Sequence, residues 1–531
     1  MDSHQNQRRK KAKTSTNSIA PIRRSSRVAA RQGWRIPPEI LLLIMKELRD
    51  SKVSLKTAAL VCRAWRGPAH VYLFSQIHIR KSSDCSRISK IIQKSPHIAS
   101  HMNRLVVQES DFQPMFESVK DRTSISRVSY LQSRDATEIA STLGSCVREL
   151  GVSVYPLDEN NLKFLKQMKQ VQTLRVDQCD EMRVDILAEL IQDMRNLTSL
   201  HLFGGQIDCD VEEYENDRLE SLADTTATSS TVSSAEPTVD MPPFRLTRLT
   251  LDRVEHRFGL LKFLLDSRLF DLGALKSLDL TWMEAEDQFG IATLDFTFLD
   301  RLFRKVGTNL KGLTLGLWGT HFYPRDQYLE HYTMNPVASP LRCLVTLESL
   351  SIINQEYDRF DPSLFLALLT SVPSSSSTHI QLKTLVNVDD FAEFTPVFFA
   401  HPEEDPAKHW KAVDSLLGDK DRFPVLKTLT LTIILEFQSE VFKLTLHDTE
   451  ACGKPICFPC VMMRLGDERA KEIATRHAEE SVDQTSTQIV GLFEGTLTRL
   501  KEKGLLNVEV EKQDLSLPDL KPESGFWKWD N

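Results

Sequence analysis

A six-residue unit, apolar-x-x-Leu-x-apolar, recurs along this chain and limits its fold more than any other feature. It reads VRELGV at Val147, VQTLRV at Val171, LTSLHL at Leu197 and LTRLTL at Leu246. LKSLDL at Leu275, LKGLTL at Leu310, LESLSI at Leu347 and LKTLTL at Leu426 follow, with looser copies MNRLVV at Met102 and LLNVEV at Leu505. LKTLVN at Leu382 breaks the pattern, because Asn387 falls where an apolar residue belongs. Starts lie 24, 26 and 29 residues apart in the tighter places, and 35 to 49 over most of the rest. Alternation of period two marks a short strand with one buried face. Helical patterns run between the units. ILAELIQDM puts Ile186, Leu187, Leu190, Ile191 and Met194 on one face, and FGLLKFLLDSRLF, FTFLDRLFRKV and SLFLALLTSV take the same place later. A strand followed by a helix, repeated, predicts parallel strands on one side and helices on the other, each unit burying its neighbours.

The arrangement resembles a leucine-rich-repeat horseshoe. That resemblance implies an α/β solenoid whose parallel strands line a concave face. The family usually places Asn or Cys after the strand, where its side chain ties successive turns together. Here only Cys179 falls at that place, and other units have Gly205, Val254, Met283 or Trp318. An irregular solenoid is therefore expected over residues 81–515, with a globular α/β domain built on Leu-rich strands as the alternative. Side chains alternate along a strand, so with Leu174 and Val176 turned in, Thr173, Arg175 and Asp177 turn out. The same offset selects His201, Phe203, Arg248, Thr250, Asp252, Asp279, Thr281, Thr314, Ser351 and Thr430. Arg175, Asp177, His201, Phe203, Thr250, Asp252, Asp279 and Thr281 are the candidate target-binding residues, since solenoids commonly bind partners on the inner curve. For any one of them a merely solvated sheet face is the alternative.

A compact helical segment precedes the repeats, from Ile36 to about Ile79. In IPPEILLLIMKELRD the Pro37-Pro38 pair suits a first helical turn, and Ile40, Ile44 and Leu48 recur at spacing four beside Leu41 and Met45. In SLKTAALVCRAW, Ser54 is a candidate cap and Leu55, Ala58, Ala59, Cys62 and Trp65 fall on one stripe. Gly67-Pro68 is expected to end that helix, and AHVYLF to begin a third. The stretch IPPEILLLIMKEL…LKTAALVCRAWRGPAHVYLFSQI resembles the F-box motif, most closely in the form common among filamentous fungi. Ile36-Pro37 falls at the family's Leu-Pro pair, Leu60-Val61-Cys62-Arg63-Ala64-Trp65 at its Val-Cys-x-x-Trp core, and Leu73-Phe74 at its closing apolar pair. The resemblance implies a three-helix F-box over residues 36–80 that docks a Skp-family adaptor, and through it a cullin and a RING subunit. Ile36, Pro37, Ile40, Leu41 and Ile44 are the expected contacts. Leu60, Val61 and Trp65 serve either as contacts or as internal core.

The formal charge of −7 hides an asymmetry. Residues 1–35 hold ten Lys or Arg against Asp2, a net of +9, so the remaining 496 residues sum to −16. RRKKAK and RRSSR, separated by a polar spacer, suit a two-part nuclear import signal on an expected disordered tail. A basic arm on an acidic body reads as an address or tether and not as a nucleic-acid-binding fold. Asp208 to Asp224 holds eight acids against Arg218 and leads into a Ser/Thr-rich run, so residues 208–243 read as a disordered acidic insertion. Residues 516–531 read as a C-terminal tail. The longest apolar run, Ile40 to Met45, is far below the ~18 residues of a membrane span. The first residues lack the apolar region of a secretory signal, so a reducing compartment, nucleus or cytoplasm, is expected for the nine cysteines.

The sequence holds no G-x-x-x-x-G-K-[ST], G-x-G-x-x-G, H-E-x-x-H or G-x-S-x-G, and 20 glycines in 531 residues argue against phosphate cradles. No catalytic residue and no cofactor is expected. Cys62 and Cys179 read as packed thiols. His447, Cys452, Cys457 and Cys460 lie within fourteen residues, the last two as C-x-x-C, and a two-residue gap lets two thiolates meet one zinc ion. A second paired ligand set is missing, so ordinary core or loop cysteines are the preferred reading and a structural zinc site the alternative. The expectation is a non-catalytic substrate receptor of a cullin-type ubiquitin ligase, with an interaction scaffold outside any ligase as the alternative.

Overall fold

The computed structural model describes residues 36–108, 130–153, 157, 159–177, 182–204, 207–208, 243–252, 257–267, 269–281, 296–317, 339–354, 362–373, 375–387, 406–437 and 467–514. The basic tail, most of the acidic insertion, the tail after 514, Cys179 and the His447–Cys460 cluster lie outside these residues. The chain divides into two compact units between Leu73 and Phe74.

The first unit is three helices, α1 (Pro38–Glu47), α2 (Lys52–Val61) and α3 (Arg63–Leu73). Pro37 sits before the first turn of α1, and its carbonyl accepts from the amides of Ile40 and Leu41, both at 3.1 Å. Ser51, not Ser54, caps α2: its Oγ accepts from the Ser54 amide at 3.2 Å. The expected break at Gly67-Pro68 is absent. Cys62 is extended, with φ −160° and ψ 172°, so the helix ends there and Pro68 lies inside α3. Packing of α3 against both α1 and α2 outweighs the backbone bond that Pro68 cannot make. Cys62, expected as a packed thiol, is exposed at this break. The unit's core is Met45, Leu55, Ala58, Ala59 and Ala69, with Ile44, Leu48, Trp65, Tyr72 and Leu73 at its margin.

The second unit is built on one sheet of twelve parallel strands, hydrogen-bonded strictly in chain order. They are β1 (Gln76–Ile79), β2 (Arg104–Gln108), β3 (Glu149–Ser153), β4 (Thr173–Asp177), β5 (Ser199–Phe203) and β6 (Arg248–Asp252). β7 (Ser277–Thr281), β8 (Gly312–Leu317), β9 (Ser349–Asn354), β10 (His379–Asn387), β11 (Thr428–Phe437) and β12 (Leu506–Asp514) complete it. Helices stand between them: α4 (Ser82–Lys94), α5 (Arg134–Leu143), α6 (Glu159–Leu165), α7 (Val184–Gln192), α8 (Arg257–Asp266), α9 (Phe296–Val306), α10 (Pro362–Ser371) and α11 (Pro406–Leu417). α12 (Asp467–Thr496) and α13 (Thr498–Glu502) precede the last strand. Sequential parallel order with crossover helices is the topology of a leucine-rich-repeat-like solenoid, a mixed α/β fold.

The repeat leucines explain the register. Leu105, Leu150, Leu174, Leu200, Leu249, Leu278, Leu313, Leu350, Ile380 and Leu429 stand opposite one another from strand to strand and belong to a single core with the helices. Two turns escaped the repeat pattern. Phe74 opens FSQIHI, which pairs in phase with MNRLVV, so the sheet starts ahead of residue 81. The tenth turn starts at Ser377 and not at Leu382, because His379 pairs with Ser349. Ser377 replaces the opening leucine. It is buried at 1% exposure, and its Oγ donates to the carbonyls of Leu347 and Pro373, both at 3.3 Å. LLNVEV is two residues out of phase, since Leu429 pairs with Leu506.

Cys179, Gly205, Val254, Met283 and Trp318, at the family's ladder position, lie outside the described residues. Threonines at the amino ends of the strands tie successive turns. Thr247 Oγ1 donates to the Thr198 carbonyl at 3.1 Å, Thr378 Oγ1 to the Glu348 carbonyl at 3.0 Å, and Thr198 Oγ1 to the Gln172 carbonyl at 3.2 Å. Each acceptor is the equivalent residue one turn earlier.

Candidate functional site

Two surfaces carry residues singled out from the sequence. On the first unit, α1 turns Leu41 and Met45 inward. Leu41, expected at the contact, is 3% exposed because it lies on the stripe that meets the small core. Ile36, Pro37 and Ile40 are exposed, and Ile44 and Trp65 are half-buried against that core. Leu60 at 81% exposure and Val61 at 61% stand on the outer side of α2 and take no part in the interior. Leu43 and Val53 are exposed as well; sequence reading passed over them, since an unbroken run such as ILLLIM does not show which side faces in. Nine large apolar side chains are exposed among the described residues, and six of them lie between Ile36 and Val61. Monomer surfaces usually scatter such groups singly, so this concentration makes the first unit a candidate docking surface.

On the second unit, the strand residues that alternate with the core leucines form the other face of the sheet. Arg175, His201, Thr250, Asp279, Thr314, Ser351, Gln381 and Thr430 make one row across adjacent strands, and Asp177, Phe203, Asp252 and Thr281 make part of the next. Thr173 and Arg248 sit in the row at the amino ends. The eight candidates are thus brought together on β4 to β7. Thr250 and Thr281 are buried, so they offer a partner little surface. Thr250 Oγ1 lies 2.9 Å from His201 Nδ1, and Thr281 Oγ1 donates to Asp279 Oδ1 at 3.3 Å. Arg104, outside the candidate set, pairs with Glu149 at 3.7 Å and acts electrostatically on Asp177.

The patch is organised around Arg175. Its Nε donates to Asp177 Oδ1 at 2.9 Å, and its guanidinium carbon lies 3.9 Å from the centroid of the Phe203 ring. Phe203 stacks on His201 with ring planes 2° apart and centroids at 6.1 Å. Burial pushes His201 down to about 4, helped by Arg248 and Arg175, so the ring is neutral at physiological pH. Burial raises Asp177, opposed by Arg175. Burial and then Asp252 raise Asp279 to about 6, against the pull of Thr281 and Arg248. Cation, aromatic ring and carboxylates thus stand side by side on the sheet face.

Among the described residues, no group of three or more His, Cys, Asp or Glu is placed to hold a metal ion, and no helix is long and apolar enough to cross a membrane.

Residues 34–80 match the F-box-like family. No curated protein matches the chain. Among solved structures, an internalin C2 of Listeria monocytogenes is 16% identical, covers 51% of this chain and 76% of its own, and superposes with a TM-score of 0.21. The solenoid assignment rests on the strand order and register given above. The chain therefore joins an F-box-like domain to a leucine-rich-repeat-like solenoid, the architecture of an F-box protein-interaction adaptor, a class that is typically non-catalytic.

Proposed function

We propose that the chain is the substrate-receptor subunit of a Skp–cullin–F-box ubiquitin ligase. The observation that carries this is the concentration of exposed apolar side chains on a three-helix unit that matches the F-box-like family. Ile36, Pro37, Ile40, Leu60 and Val61 dock the Skp-family adaptor, with Ile44 and Trp65 supporting them from below. Helices with an apolar outer side lie readily in a partner's groove. The adaptor then links the chain to a cullin and a RING subunit.

The target protein is held on the sheet face around Arg175, Asp177, His201, Phe203, Asp252 and Asp279. The contribution to ubiquitin transfer is positional. Tethering a target lysine near a charged conjugating enzyme turns a bimolecular encounter into an effectively intramolecular one. No residue of this chain performs the bond chemistry. The basic arm serves nuclear entry, and fusion of residues 1–35 to a neutral reporter tests it by the reporter's distribution.

Affinity purification of the full chain tests the ligase reading. Recovery of adaptor, cullin and RING subunit together supports it. Recovery of adaptor without cullin favours a scaffold outside the ligase, and loss of both on deleting residues 36–73 assigns the link to the first unit.

A further inference from the structure

The first helix of the second unit carries a feature that neither proposed surface uses. α4 has three flanks. Cys85, Ile88, Ser89 and Ile92 are buried in the core. A second flank faces α5, where Ser86 donates to Asp135, Ser89 Oγ donates to Glu138 Oε2 at 3.0 Å, and Gln93 Nε2 donates to both Glu138 oxygens at 2.8 and 2.9 Å. The third flank, with Ser83, Ser86, Arg87, Lys90, Ile91 and Lys94, lines an open groove of about 530 Å³.

Arg87, Lys90 and Lys94 are exposed and share one side of the helix, since residues three and four apart are neighbours. Among the described residues none of the three has a carboxylate partner. Cations elsewhere in the helix layer do: Lys166 pairs with Glu189, Arg301 with Asp266, and Lys501 with Glu494. Three like charges repel one another along α4 in a body that carries sixteen excess negative charges, 72 acids against 56 Lys and Arg beyond residue 35.

We propose that this groove docks an acidic peptide segment of a partner protein, laid along α4 so that successive Asp or Glu carboxylates meet Arg87, Lys90 and Lys94. Charge complementarity sets the occupant. The cationic track runs over eight residues, Arg87 to Lys94, about 10 Å of helix, which is enough for a few peptide carboxylates. It is short for a nucleic-acid backbone, and among the described residues the lining offers Ile91 but no aromatic ring on which a base stacks. The site uses none of the residues assigned to the adaptor or the target, so its failure leaves those assignments untouched.

The test is fluorescence anisotropy with the full chain and a fluorescein-labelled decapeptide of alternating Glu and Ala, beside its Gln analogue and a single-stranded oligonucleotide. The acidic peptide is expected to bind in a salt-sensitive way and the Gln analogue not to bind. The variant Arg87→Glu/Lys90→Glu/Lys94→Glu should weaken binding roughly tenfold or more, as three exposed ion pairs allow. Arg87→Gln/Lys90→Gln/Lys94→Gln should weaken it less. Undetectable binding, equal binding by the charge-reversed variant, or preference for the oligonucleotide overturns the proposal. Binding that emerges only after deletion of residues 209–224 also overturns it, in favour of an occupant within the chain.

Discussion

The guanidinium carbon of Arg175 lies over the ring of Phe203, 3.9 Å from its centroid, although the two residues sit on neighbouring strands and 28 positions apart in sequence. They are diagonal neighbours, because Asp177 and not Arg175 pairs with Phe203. The same guanidinium holds Asp177 at 2.9 Å, so one side chain fixes a carboxylate on its own strand and an aromatic ring on the next. Contacts of this kind contribute about 0.5–1 kcal/mol at partly exposed sites. A double-mutant cycle of Arg175→Ala and Phe203→Ala, read by urea denaturation, should return a coupling of that size. Zero coupling would separate the two residues energetically.

Acid and base groups on this face act in opposite directions. Asp279 is raised to about 6 in the folded chain from 3.8, so its ionised form opposes folding above that value. The penalty is relieved as pH falls from 7 through 6 toward 4. Asp279→Asn should stabilise the protein by on the order of 1–2 kcal/mol at pH 7.5 and by little at pH 4. His201 is lowered to about 4 from 6.5, so its neutral form favours the fold, and that support is lost as pH falls from 6.5 through 4. His201→Gln should therefore matter little at pH 7.5 and flatten the loss of stability below pH 6. Denaturant midpoints across pH 4 to 8 check both signs.

Inside the first unit, burial separates stability from docking. Leu41→Ala removes a side chain that is 3% exposed and should cost about 2–4 kcal/mol, with faster amide exchange across α1 to α3. Leu60→Ala, at a position 81% exposed, should stay within about 0.5 kcal/mol. Equal effects would mean that the helix faces are assigned wrongly.

At the other end of the sheet, one carboxylate anchors the last strand. Asp414 on α11 is 5% exposed, and its oxygens accept from the amides of Arg499 at 3.1 Å and Leu500 at 3.0 Å in the first turn of α13. This is a helix cap supplied from 85 residues upstream. Asp414→Ala should cost about 1–3 kcal/mol, since it leaves buried donors unpaired, and should speed amide exchange in β12 before the rest of the sheet. Unchanged protection over residues 506–514 would contradict that anchoring role.

The repeat leucines made the solenoid legible, because eight tight copies share one spacing of core positions, and the alternation rule put the correct side chains on the free face. What sequence alone missed has local causes. Ser377 hides a turn because a hydroxyl satisfied by two carbonyls takes the place of a leucine, and apolar patterning is blind to that substitution. Phe74 hid another because its unit overlaps the F-box-like match. Leu41 was expected outside because every residue from Ile40 to Met45 is apolar, and only packing against α3 decides which of them turn in. The contact of Thr250 with His201 joins neighbouring strands, which no single strand's sequence displays, whereas Thr281 reaches Asp279 two residues away on its own strand.

The account rests on the apolar outer surface of α1 and α2 being a docking face. Isothermal titration of the purified full chain with a Skp-family adaptor tests this directly, using wild type, Ile40→Asp and Leu60→Asp, each checked for unchanged folding by circular dichroism. The account predicts one-to-one binding by the wild type and loss of measurable heat in both variants. Absence of binding by the wild type, or undiminished binding by both variants, would contradict it.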